Sequence, residues 1–165
     1  MSTFLSKSYQ IKQLDLKYFS GNEDEGEGEI ILLALASSNS LPTISHFVCG
    51  RNSPWFSNES KERSVELLCD AIRAMTNLQY LDLSYCRFET ENKCDQVVSA
   101  IIANKEQNPS LADINLFCVG AKDHNDEQNS NFSSSAKEHI AALKAKGLTI
   151  AETKELLNEM NKRYC

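Results

Sequence analysis

The sequence predicts an α/β fold in which short strand–helix units repeat and stack side by side. In residues 78–88, Leu81 and Leu83 flank the polar Asp82, which is the alternation of a strand with one buried face. The same apolar spacing, L-x-x-L-x-L, recurs in the chain, and apolar segments with helical spacing lie between its copies. Because one such strand cannot bury its apolar face alone, the units are expected to stack against one another.

Four copies of the spacing occur at intervals that suit one supersecondary unit each. Their central residues are Leu14, Ile44, Leu81 and Ile114, which lie 30, 37 and 33 residues apart. The predicted strands lie near residues 11–17, 41–47, 78–85 and 111–117. Leu148 and Ile150 fit the second and third apolar positions, which allows a further strand near 147–151.

The segments between the strands share the pattern apolar-x-x-Ala-apolar, which places three side chains on one helix face. A small residue in the middle lets the helix approach the sheet closely, and these residues are Ala34, Ala71 and Ala100. The pattern predicts helices near residues 28–37, 61–75 and 92–104. Capping boxes that begin at Ser135 and Thr149 predict a further helix and a C-terminal capping helix near 150–163.

These features together resemble the ribonuclease-inhibitor-like class of leucine-rich repeats. The resemblance rests on residues 78–88, on the three alanine-centred helices and on the sequence Asn-Pro-Ser-Leu at 108–111. It implies a single domain over residues 1–165, built as a short, curved, right-handed β-α solenoid with a parallel sheet on the concave side and helices outside. The chain departs from the class at His46, which occupies an apolar position, and at Phe19 and Val119, where the class has Asn or Cys.

Composition limits the classes of partner. The chain has 165 residues and a net charge of −6, which argues against a nucleic-acid backbone as the partner. It contains no apolar run of the ~18–20 residues that a membrane span needs and no pattern of a secretory signal peptide. We therefore expect a cytoplasmic protein, or alternatively an effector that enters a host cell without a classical signal peptide.

The sequence gives no reason to expect catalysis or a bound cofactor. It contains no nucleophile elbow, P-loop, zinc-protease motif or dinucleotide-binding glycine pattern. The six cysteines include no C-x-x-C pair, so we expect reduced, buried thiols and no metal site. We therefore expect a monomeric, non-catalytic protein without cofactors, although a self-associating structural repeat or an enzyme without a recognisable motif stays open as an alternative.

The candidate binding residues follow from the implied architecture, because side chains that alternate with buried strand positions face the concave surface. Polar and acidic groups beside exposed aromatic rings suit a protein-binding patch, and tryptophan is frequent in binding hot spots. A purely structural role for the same residues is the alternative. The candidates are Asp15, Phe47, Tyr80, Asp82, Tyr85, Asp113, Asn115 and Phe117 on the sheet, with Trp55 in the loop after the second strand.

Overall fold

Strands and helices alternate along the whole described part of the chain. The computed structural model describes residues 11–17, 27–50, 56, 62–88, 90–117, 119 and 132–164. The elements in chain order are β1 Gln13–Asp15, α1 Glu27–Ala36, β2 His46–Val48, α2 Glu62–Ala74, β3 Tyr80–Asp82, α3 Glu91–Gln107, β4 Asp113–Asn115, α4 Ser134–Ala145, β5 Thr149–Ala151 and α5 Lys154–Tyr164. A 3-10 turn, Leu41–Thr43, precedes β2. The predicted α/β fold and the fifth strand are confirmed.

The five strands form one parallel sheet whose spatial order is the order of the chain. Their central residues lie opposite one another in register and all face one side of the sheet. These residues are Leu14, Phe47, Leu81, Ile114 and Ile150. The sequence distances between neighbours are 33, 34, 33 and 36 residues, so the repeat is more regular than the sequence pattern predicts.

The second strand corrects the sequence prediction. Residues 41–43 form a 3-10 turn, and Phe47, not Ile44, lies opposite Leu81. The sequence contains a reason for this shift, because Pro42 has no N–H to donate to a strand ladder. The corrected register also accounts for His46, which lies on the opposite side of the strand from the core and occupies no apolar position.

Helices α1 to α4 cover the face of the sheet that contains the central residues. Each of them packs against the next in chain order, as the strands do. The main core lies between this helix layer and the sheet, and the central residues of β2, β3 and β4 are fully buried there. Ala71 and Ala100 are completely buried, as expected for close helix–sheet contact, whereas Ala34 is only partly buried.

Buried asparagines join neighbouring units through the backbone. Asn104 in α3 donates from Nδ2 to the carbonyl oxygens of Ile72 at 2.6 Å and Met75 at 3.0 Å. These carbonyls lie at the C-terminal end of α2, where a helix cannot satisfy its own acceptors. Asn108 similarly donates to the carbonyl oxygen of Leu78 at 2.7 Å. The end of α3 is thus fixed to the turn that leads into β3.

Two helix starts differ from the predicted capping boxes. The N-cap of α4 is Ser133, whose hydroxyl accepts a hydrogen bond from the backbone N–H of Ala136 at 3.0 Å, so the predicted start at Ser135 is wrong. Thr149 lies in β5, and the C-terminal helix begins at Lys154, four residues later than predicted. Pairing of β5 with β4 outweighs the local capping signal at Thr149.

No helix among the described residues is both long enough and apolar enough to cross a membrane.

Two substitutions in β2 distinguish the observed register from the register that the sequence pattern predicts. We expect Phe47→Ala to lower the free energy of unfolding by ~3–5 kcal/mol, because it removes a fully buried aromatic side chain. We expect His46→Ala to cost less than about 1 kcal/mol, because this side chain is only partly buried. Urea denaturation of the two variants measures both values. Equal costs would contradict the register.

Candidate functional site

The face of the sheet opposite α1–α4, here called the second face, presents two rows of side chains in register. The first row consists of Gln13, His46, Tyr80, Asp113 and Thr149. The second row consists of Asp15, Val48, Asp82, Asn115 and Ala151. Both rows mix polar, acidic and apolar groups, unlike the uniformly apolar row that faces the helices.

Helix α5 packs on the second face and covers part of it. Met160, which is 1% exposed, forms a small apolar cluster with Tyr80 of β3 and Ala151 of β5. Val48 and Leu157 pack against this cluster and are themselves partly buried. The C-terminal helix therefore caps a face of the sheet rather than the end of the strand array.

An ion pair fixes the last turn of α5 to the sheet. Nη1 of Arg163 lies 3.2 Å from Oδ1 of Asp113. The Asp113 side chain is 9% exposed and the Arg163 side chain 55% exposed. Because the arginine is half in water, the pair contributes little to stability on its own.

Acidic and amide side chains at the ends of three strands bind their own backbone. The side-chain oxygen of Asp15 accepts from the N–H of Lys17 at 2.8 Å, and that of Asp82 accepts from the N–H of Ser84 at 2.8 Å. Asn115 accepts in the same way from the N–H two residues on, at 3.1 Å. Each is an Asx turn, which ends the strand at the same place in three units. Part of the polar character of the second face is therefore structural.

Asp82 has further contacts that leave little room around it. Its Oδ2 accepts a hydrogen bond from the Tyr80 hydroxyl at 3.3 Å and lies 4.0 Å from Nζ of Lys17. A Cβ atom on Gly50 would lie 2.9 Å from Oγ of Ser84 and 3.0 Å from Oδ1 of Asp82. Only glycine fits at position 50, because the backbone after β2 runs directly against these two side chains.

The structure places the predicted binding residues in different environments. On the second face or at its strand ends, but buried, lie Tyr80, Asp82, Asp113, Asn115 and Phe117. Asp15 is exposed and Tyr85 is partly buried. Phe47 is fully buried in the main core, so its predicted place on the binding surface is wrong, and the reason is the shifted register of β2. Trp55 lies outside the described residues.

Tyr85 has an unusual backbone conformation and an aromatic partner. Its φ angle is 59°, in the left-handed region that non-glycine residues rarely adopt. Its ring meets that of Phe117 edge to face, with centroids 5.4 Å apart and an interplanar angle of 87°. Its N–H donates to the carbonyl oxygen of Phe117 at 2.9 Å, which helps to hold the turn after β3. Tyr85 is therefore held beside Phe117, which is itself buried.

A cleft of about 420 Å³ lies beside α5 over β1 to β3. Its lining consists of Gln13, Leu14, Asp15, His46, Val48, Tyr80 and Arg163. Here the second face stays accessible, since Gln13 and Asp15 are exposed and His46 is partly exposed. The sequence pattern does not indicate His46 and Val48 as surface residues, because the unshifted register assigns them to other positions.

A contact between a serine and a histidine lies beside the cleft. The Ser45 hydroxyl lies 2.8 Å from Nδ1 of His46, but it also donates to the carbonyl oxygen of Lys12 at 3.0 Å. The carbonyl oxygen of Lys12 therefore competes with Nδ1 of His46 for the hydroxyl proton. Cys49 lies in the core, on the opposite side of the strand from His46. Among the described residues, no three His, Cys, Asp or Glu side chains converge to hold a metal ion.

Comparison with known proteins adds nothing to the geometry: no protein-family model, curated protein or solved structure matches the chain. The assignment of a function therefore depends on the residues and contacts of the chain itself.

The buried cysteines make a prediction about reactivity. Burial raises the pKa of Cys69 from 9.0 to about 11 and that of Cys94 from 9.0 to about 12. Because only the thiolate is nucleophilic, we expect both thiols to resist iodoacetamide at pH 8 in the folded chain and to react after denaturation. Peptide mass spectrometry measures this. Alkylation of Cys69 in the folded chain at the rate of the denatured chain would contradict the burial.

Proposed function

We propose that the chain is a non-catalytic protein-binding module of the leucine-rich-repeat type, and that it binds a protein partner through the second face of its sheet. The repeat assignment is supported by the regular 33-to-36-residue spacing of the central residues. In such solenoids the strand surface that is free of repeat helices is the usual binding face. Because a fold does not determine a function, this assignment by analogy needs support from the geometry of the site.

The cleft beside α5 is the observation that favours binding at this face. It combines accessible polar groups from Gln13, Asp15 and His46 with the apolar surface of Val48 and Tyr80. Apolar area surrounded by polar groups that fix orientation is the usual composition of a protein interface. A partner side chain that enters the cleft contacts three neighbouring strands at once.

Charge on this face favours a basic partner. Asp15, Asp82 and Asp113 all lie on the second face, and only Asp15 is exposed. Lys17 lies near Asp82, and Arg163 is paired with Asp113. Basic side chains of the chain itself therefore already bind acidic groups of this face. The net charge of −6 acts in the same direction over longer distances. We therefore propose a protein partner with a basic patch, rather than a nucleic acid or a membrane surface.

We propose that the protein is a monomer and that it acts in the cytoplasm. This is the cytoplasm either of the cell that makes the protein or of a host cell that the protein enters as an effector. Self-association is the competing function, because β1 and β5 are the edges of the sheet that the described residues form, and each has one neighbouring strand within it. Unpaired strand edges are templates for pairing with another chain. A monomeric mass at micromolar concentration in light scattering would exclude this competitor.

Site-specific photocrosslinking tests the proposed binding face. A benzophenone amino acid replaces Gln13, which lines the cleft, or Glu106, an exposed residue of α3 on the helix layer. Both chains are incubated in native lysate, irradiated and analysed by mass spectrometry. We expect a discrete protein adduct from position 13 and none of that mass from position 106, because the partner covers the cleft and leaves the helix layer in water.

The matched control is a second chain that has the crosslinker at position 13 together with Asp15→Asn. This change removes the exposed charge and keeps the oxygen that accepts from the N–H of Lys17. The adduct is expected to weaken about two- to fivefold, by loss of one charged contact worth about 0.5–1 kcal/mol. An adduct that forms only from position 106 would contradict the proposed face.

A further inference from the structure

Helix α5 occupies part of the candidate binding surface through a small contact. Along the helix, Met160 is buried and Leu157 partly buried, while Glu155, Leu156 and Glu159 are exposed. Among the side chains of α5 that the structure describes, those in apolar contact with the sheet are at positions i and i+3, the spacing of one helix face. Arg163 at position i+6 adds the ion pair with the sheet.

The contact of α5 is separate from the main core. Met160 clusters with Tyr80 and Ala151, and this cluster is distinct from the core between the sheet and α1–α4. Loss of the α5 contact therefore removes no contact within the main core. Segments with few buried apolar contacts open at lower free energy than the rest of a protein.

The connection between β5 and α5 allows the helix to move as a unit. Only Glu152 and Thr153 lie between the two elements. Thr153 caps the helix, since its hydroxyl accepts from the backbone N–H of Leu156 at 3.4 Å. Glu152 is paired with Lys144 at the end of α4, which fixes the start of the connection. The helix can therefore leave the sheet by rotation about these two residues, without loss of its own cap.

We propose that α5 is an autoinhibitory helix and that its place on the second face is the site of an amphipathic helix of the partner. This inference rests on the proposed function and specifies the partner: a helix with apolar residues at i and i+3 and a basic residue at i+6. This pattern is taken from α5 itself. Leu157 and Met160 are its apolar residues at i and i+3, and Arg163 is its basic residue at i+6. A helix laid into a groove is a common mode of peptide recognition.

The geometry also explains how a partner helix displaces α5. The intramolecular helix has the advantage of a short tether, which gives it an effective concentration of about millimolar order. A partner helix that extends over β1 to β3 adds contacts with Gln13 and Asp15, which line the cleft and are exposed while α5 is in place. These additional contacts supply the affinity with which the partner helix competes. Because α5 does not form them, the partner helix can displace it.

Binding of a helical peptide in trans tests the inference on the full chain. The probe is a fluorescein-labelled peptide of residues 152–165 with Cys165→Ser, and its anisotropy is measured as each chain is added. We expect the Met160→Asp chain to bind the peptide at least about tenfold more tightly than the wild-type chain, because its own helix no longer occupies the face. Arg163→Glu in the chain is expected to act in the same direction with a smaller effect.

Two controls match these changes. The chain variant Glu159→Ala alters an exposed residue of the same helix and is expected to bind the peptide as the wild-type chain does. A peptide that itself contains Met160→Asp is expected to bind none of the chains, because the apolar anchor is missing. Tight binding of this control peptide would show non-specific association and overturn the inference.

Hydrogen exchange of α5 in the same variants separates the possible failures. We expect its amides to exchange at least about tenfold faster in the Met160→Asp chain, with the amides of β3 and β4 unchanged. Faster exchange without tighter peptide binding contradicts the inference that a partner helix binds at the place of α5. In that case the photocrosslinking result at position 13 still decides the proposed function. Unchanged exchange in both Met160→Asp and Arg163→Glu shows that α5 is not held by this contact and overturns autoinhibition.

Discussion

Burial of one apolar side chain at the centre of each strand is the constraint on which the structure depends. Each strand is three residues long and has one central residue directed to the helices. A strand this short has too few backbone hydrogen bonds to persist alone, so its stability comes from the neighbouring strands and from the helices packed on the sheet. The buried amides of Asn104 and Asn108 then fix the end of α3 to backbone carbonyls of the preceding unit.

The second face follows from the same constraint, because residues next to the central one must point away from the helices. Some of them serve the fold, as the Asx turns of Asp15, Asp82 and Asn115 show. Others meet α5 and are buried by it. What stays accessible is the part over β1 to β3, and the proposed binding function concerns that part together with the area that α5 covers.

Much of the fold was predictable from local patterns, while the arrangement of the second face was not. Leu81 and Ile114 mark their strands correctly, because an alternating strand between helical segments is a periodic signal. The predicted position of the second strand was wrong because Ile44 and Phe47 are both apolar and three residues apart. The motif fits the sequence with either residue at its centre. The stripe on α5 indicates that one face of the helix is buried, but amphipathicity does not specify the surface that covers it, so the burial of the second face could not be foreseen.

The most direct test of this account is a nuclear Overhauser measurement in solution between the Met160 methyl group and the side chains on the second face. With methyl-labelled methionine and alanine, the account predicts cross-peaks from Met160 to the ring of Tyr80 or the methyl group of Ala151, in the full chain without a partner. These cross-peaks would show that α5 lies on the sheet and that the candidate binding face is covered by its own chain. Cross-peaks from Met160 only to residues of α5 itself would contradict the account, because the second face would then be open and α5 free of it.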